Sequence, residues 1–185
     1  MFSDPRDNDV KEGLLWAHTL AAWNDQQKSF YYIRKDQLIK RELAGGQEEI
    51  ILKDEILSSD NYILDLSPDG KNLLFCNYDK IYIIPTFPGK IFSIVNVNTT
   101  TDGQSIIYNS AVWSPDGNYI FYTENGRKDG SVLWRTSVEG KNPKEVWHSK
   151  VPISSISIHP DGEEIVVTTL EEVAEIWKVE NLLAD

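Results

Sequence analysis

The chain has 185 residues, 41% of them hydrophobic and 11% aromatic, and a net charge of −11. That apolar content can build a core and excludes a disordered linker. The negative field disfavours nucleic acid and acidic membrane surfaces as partners, and no run reaches the roughly 18 to 20 apolar residues of a membrane-inserted helix.

Residues 1–13 are polar, with Asp4, Asp7, Asp9 and Glu12 around Pro5, and lack the apolar centre of a signal peptide. A cytoplasmic location is expected if Met1 is the natural start, and a periplasmic or cell-envelope one if a signal lies upstream. From residue 14 a pattern sets in and recurs. An apolar inner strand is expected over 20–23, then a polar turn at Asn24-Asp25-Gln26, a second strand over 29–34, a third around Leu38-Ile39, and a fourth over 48–53 after Gly45-Gly46. The next unit repeats it with strands over 62–66 and 72–77 flanking Ser67-Pro68-Asp69-Gly70, a third strand at Ile81-Tyr82 and a fourth over 91–97. Asp102-Gly103 has the composition of an additional hairpin and is read as part of an extended connection. The third unit has strands over 111–113 and 118–123 flanking Ser114-Pro115-Asp116-Gly117, then Leu133-Trp134 and 144–147. The fourth has strands over 153–158 and 164–169 flanking His159-Pro160-Asp161-Gly162, then a third over 174–179, after which six residues are too few for a fourth strand.

The aspartates Asp25, Asp69, Asp116 and Asp161 follow one another at steps of 44, 47 and 45 residues. In each full motif the proline presets φ and the glycine accepts the left-handed conformation that closes the hairpin, so Pro68, Gly70, Pro115, Gly117, Pro160 and Gly162 are structural turn residues. The second strands are apolar on both faces, as with Leu73 and Phe75 against Leu74 and Cys76, and a strand of that kind lies between two layers. Stacked four-stranded antiparallel blades satisfy both observations, so the expected fold is all-β, a β-propeller segment of about four repeats over 14–185. The blades are placed at 14–55, 56–108, 109–150 and 151–185. Trp113 and Trp134 are expected between blades, and Cys76 is expected in the core.

The Ser-Pro-Asp-Gly hairpins, Trp113 just before one of them, Glu175-Ile176-Trp177 and Gly140-Lys141-Asn142-Pro143 resemble the TolB-type, WD-like β-propeller repeats of bacteria. The ending, Glu175-Ile176-Trp177-Lys178-Val179-Glu180-Asn181-Leu182-Leu183, resembles the closing segment of such propellers. Propellers of that family usually have six or more repeats, so the resemblance implies a partial propeller made of C-terminal blades. Its members range from envelope-complex subunits and propellers appended to regulators to the lids of prolyl-oligopeptidase-type hydrolases, so it specifies the repeat and leaves the function open.

No Gly-x-Ser-x-Gly elbow, zinc-ligand spacing, calcium loop or phosphate-binding glycine loop is present, so no enzyme activity, metal or cofactor is expected. What remains is surface. From turn aspartate to third strand the repeats measure 13, 12, 17 and 15 residues, so blade three carries a longer connection, Glu124-Asn125-Gly126-Arg127-Lys128-Asp129-Gly130. Loops on rigid scaffolds are where recognition resides, which makes Asn125, Arg127, Lys128, Asp129 and the neighbouring His148 the candidate binding residues. The expected role is a non-catalytic binding or sensing module within a larger protein, engaging a protein partner, a ligand or further blades and prone to self-association through open blade edges. The alternative is the propeller lid of a serine hydrolase whose catalytic domain is absent here.

Overall fold

The computed structural model describes residues 21–58, 62–77, 80–87, 89–96, 110–127, 129–170 and 176–180. The polar tail, the Asp102-Gly103 segment, Lys128 and the ending after Glu180 lie outside them. Four antiparallel sheets follow one another along the chain. Blade one comprises β1 (Ala21–Asn24), β2 (Ser29–Arg34), β3 (Gln37–Glu42) and β4 (Glu48–Lys53), and a 3-10 turn at Glu55–Leu57 leads out of it. Blade two comprises β5 (Ile63–Leu66), β6 (Asn72–Cys76), β7 (Lys80–Pro85) and β8 (Phe92–Asn96). Blade three comprises β9 (Ala111–Trp113), β10 (Tyr119–Arg127), β11 (Gly130–Ser137) and β12 (Lys144–Ser149). Blade four comprises β13 (Ile153–Ile158), β14 (Glu164–Thr169) and β15 (Ile176–Glu180). Strands pair in chain order within each sheet, and β1, β5, β9 and β13 neighbour one another as the inner strands of four consecutive propeller blades.

Each Asp turn is held by its own side chains. The Ser67 hydroxyl donates to Asp69 Oδ1 at 2.7 Å, and the same oxygen accepts the Lys71 N–H at 3.1 Å. Ser114, Asp116 and Asn118 repeat the arrangement at 2.6 and 3.0 Å. In blade four, His159 Nδ1 takes the serine's place at 2.8 Å from Asp161 Oδ1. Gly117, at φ 72°, shows why the motif ends in glycine. The first turn departs from the expected alignment. Asn24 pairs with Ser29 across a hairpin of the same length as Ser67 to Asn72, so Asn24 stands where Ser67 does and Asp25 stands in the place of Pro68 instead of Asp69. Asn24 Oδ1 accepts the Gln27 N–H at 3.0 Å, and the positive φ moves to Lys28, at 50°.

With that register, each blade has a leading face turned toward the preceding blade and a trailing face turned toward the next. Ala22, Tyr31 and Leu38 on the trailing face of blade one pack against Leu64, Leu73, Phe75 and Ile84 of blade two. Leu74, Cys76, Ile81 and Ile83 then meet Ala111, Trp113, Ile120 and Tyr122 of blade three. Phe121 and Leu133 meet Ile153, Ile156, Ile165 and Val167 of blade four. Adjacent residues of one strand thus enter different cores, which is why the second strands are apolar on both faces. Trp113 is buried in the second core, whereas Trp134 is half-buried at its edge.

Candidate functional site

The expected long loop of blade three is largely strand. β10 runs on to Arg127 and β11 begins at Gly130, with Arg127 paired to Gly130 and a bulge between Glu124 and Arg127. The insertion therefore extends the β10–β11 hairpin beyond the blade instead of hanging from it, because the additional residues can continue the antiparallel ladder.

Three contacts fix this extension. Asn125 is buried, and it spans to blade four: its Nδ2 donates to the Ile153 carbonyl at 2.9 Å while its Oδ1 accepts the Ile153 N–H at 3.0 Å. Asn125 is thus an inter-blade clamp and not an exposed contact residue, a correction that follows from the bulge turning its amide inward. Glu124 Oε2 accepts from the Trp134 indole N–H at 2.9 Å, tying the base of the hairpin to its own sheet. Gly130, at φ 125°, lies against the backbone of Ser149, where a Cβ would collide with the carbonyl oxygen. Of the remaining candidates, Asp129 and His148 are exposed and approach each other at 3.8 Å between Oδ2 and Nε2. The backbone of Arg127 is on β10 beside them. The hairpin thus brings Arg127, Asp129 and His148 to one end of blade three and takes Asn125 away from the surface.

The opposite end carries the aspartate turns, which adjoin one another: Asn24 lies beside Gly70, and Pro68 beside Gly117. Hydrogen bonds from the Ser67 hydroxyl and the Lys71 N–H hold the Asp69 carboxyl below its ordinary range. At Asp116 burial pushes upward, but the Ser114 hydroxyl and the Asn118 amide donors outweigh it. The Glu163 N–H, followed by His159, lowers Asp161. These carboxylates therefore stay ionised at neutral pH because the turns need them as acceptors. At the same end, an open groove of about 330 Å³ between blades two and three is lined by Ile83, Phe92, Ile94, Val138 and Glu139.

Asp65 is the unusual acid. It lies on the trailing face of blade two, where burial raises its pKa against the pull of the Trp113 and Leu66 N–H groups, and its Oδ2 accepts the Trp113 N–H at 3.1 Å. An aspartate flanked by Leu64 and Leu66 carries no sequence signal of this role, because the donor comes from the next blade. Among the described residues no group of three or more His, Cys, Asp or Glu side chains is placed to hold a metal ion, and no helix is long and apolar enough to cross a membrane.

No family model and no curated relative matches the sequence. Among solved structures, TolB from Acinetobacter baumannii superposes with a TM-score of 0.66 at 18% identity, over 88% of this chain and 40% of that one. A chain of a nidogen/laminin complex superposes with a TM-score of 0.65 at 12% identity, over 88% of this chain and 64% of that one. Identities this low establish the fold alone, a β-propeller segment like those in these two structures. The chain spans less than two thirds of the length of either structure.

Proposed function

We propose that this chain is a non-catalytic β-propeller binding module, part of a larger protein, that engages a protein partner through the end of blade three carrying the β10–β11 hairpin. The observation supporting this reading is the fixation of that hairpin. Asn125 clamps it to blade four and Gly130 sets it against Ser149, so the base of the hairpin is held with little ordering left to complete on binding. The nidogen/laminin structure is a complex of two proteins, one chain of which shares the fold. Arg127 and Lys128 put two adjacent cations on a strongly acidic chain, a local attraction for an acidic group.

Pull-down from the native organism with the parent protein and with Arg127→Ala/Lys128→Ala tests the reading. The double variant should lose the partner while its melting temperature stays nearly unchanged, and undiminished partner recovery would remove the hairpin from the site. Ester and peptide substrates should be turned over no faster than in buffer. Turnover abolished by one serine substitution would make the protein an enzyme.

A further inference from the structure

Asn125 has a reactivity that its hydrogen bonds do not exhaust, because the next residue is Gly126. The carboxamide carbon of an asparagine can close a five-membered ring with the backbone nitrogen of the residue that follows, and a glycine there puts no Cβ in the way. None of the other asparagines in the chain precedes a glycine. The fold gives the two residues opposite surroundings. Gly126 is exposed, with φ 82°, in the bulged part of the β10–β11 hairpin. Asn125 is 2% exposed, and both ends of its carboxamide hold Ile153, the first residue of β13, at 2.9 and 3.0 Å. The side chain can fold back over its own backbone only by releasing both bonds, and water reaches the amide only when blades three and four part there.

We propose that Asn125-Gly126 is a site of spontaneous deamidation gated by the joint between blades three and four. The Gly126 backbone nitrogen gives its proton to base and attacks Cγ of Asn125, forming a C–N bond that closes a succinimide. The bond from Cγ to Nδ2 breaks, and Nδ2 takes up a proton from water and leaves as ammonia. Water then adds to either carbonyl of the imide and opens the ring, giving aspartate or isoaspartate at position 125, with water as the co-reactant and no change of oxidation state. Asparagine is thermolabile in this way. Neither product can rebuild the clamp. An ionised carboxylate has no donor for the Ile153 carbonyl, and it sets negative charge against that oxygen. Isoaspartate also inserts a methylene into the main chain of the bulge. The packing of Phe121 and Leu133 on Ile153, Ile156, Ile165 and Val167 sets how often the joint opens, and so how often the reaction can start. The step is slow while the joint is shut and irreversible once taken, and it leaves a joint that closes less well than before. The inference rests on the clamp and is independent of the binding role assigned to the β10–β11 hairpin.

Incubating the full chain at mildly alkaline pH, folded and in urea, and locating the amide-to-acid mass change by peptide mapping tests it. The unfolded chain should convert at Asn125 at least about tenfold faster than the folded one, because the open joint is a minor population. Val167→Ala, which thins the core between blades three and four, should speed conversion of the folded chain several-fold, whereas Leu64→Ala, in the core between blades one and two, should leave it near the parent's rate. Asn125→Asp should fold and show faster hydrogen exchange at the Ile153 amide, with the joint between blades one and two unchanged. Equal rates in the folded and unfolded chains, no acceleration by Val167→Ala, or equal acceleration by both core substitutions would overturn the gate. Conversion confined to other asparagines, or an Asn125→Asp chain that exchanges like the parent at Ile153, would overturn the site and its consequence. Ile156→Ala keeps the test decisive if Val167→Ala fails to fold.

Discussion

Trp23 and Trp113 are the same residue at the same place in the repeat, one step before the turn and paired with the second strand at Phe30 and Ile120. Trp113 is buried under blade two with its backbone N–H on Asp65, and Trp23 stands open on blade one. The sheet around each is a complete four-stranded blade, and on the leading face of blade one Ile39 is buried while Trp23 is not, so the blade's own sheet does not bury the tryptophan position. At this position, burial is a property of the pair of blades. The same contrast appears at the third-to-fourth turns: Gly140 is pressed against the Ile94 backbone of blade two, while Gly45 of blade one has open space where a Cβ would be.

The largest effect that would break this comparison is at the tryptophans. Trp113→Ala should cost about 3 to 5 kcal/mol, the range for truncating a buried aromatic, while Trp23→Ala should change stability by less than about 0.5 kcal/mol in the monomer, as exposed substitutions do. Urea midpoints at concentrations low enough to keep the chain monomeric decide it, and equal losses would mean that blade one is covered. The glycines sharpen the contrast at the level of the backbone. Both occupy positive φ, 71° at Gly140 and 82° at Gly45. Alanine should cost about 1 to 2 kcal/mol at Gly45 from the left-handed conformation alone, and a further 1 to 3 kcal/mol or so at Gly140 from overpacking. Equal midpoint shifts would show that blades two and three separate there without penalty.

Asn125→Ala should cost about 1 to 3 kcal/mol by leaving the Ile153 N–H and carbonyl without their clamp. Hydrogen exchange should rise at Ile153, the joint between blades three and four, and remain unchanged at the joint between blades one and two. Exchange that rises everywhere would deny the clamp its locality.

The smallest effect is electrostatic. The folded state raises the pKa of Asp65 above 3.8, so it favours the protonated form, and the associated stability is present below 3.8 and lost as pH rises through the folded value. The parent should therefore gain on Asp65→Asn as pH falls from neutral toward 4. The turn aspartates have the opposite sign. Their folded values lie below 3.8, so their contribution is present above that pH and lost beneath it. A parent-minus-variant difference that stays flat between pH 7 and 4 would mean that Asp65 is not desolvated by blade three.

The repeat and its strands were legible in the sequence because they rest on local chemistry. Ser67 and Asp69 organise their own turn within six residues, and alternation in Leu73-Leu74-Phe75-Cys76 follows from the two-residue period of a strand. The site was less legible. A longer spacing in blade three correctly marks an insertion, but the count alone does not tell a loop from an extended hairpin, and the inward turn of Asn125 depends on a bulge and on the backbone of Ile153, 28 residues away. The first turn is similar, since Asp25 looks like its counterparts until the Asn24 and Ser29 register places it beside them out of step.

The sequence by itself determined the number of strand-rich repeats, their turns and the two-faced character of their second strands, because hairpin geometry and side-chain alternation act over a few residues. Tertiary structure alone decided which of two equivalent tryptophans is buried, that Asp65 bonds the Trp113 backbone, and that Asn125 joins two blades. Each of these depends on groups 28 or more residues apart meeting across a blade interface, and no local pattern records that distance.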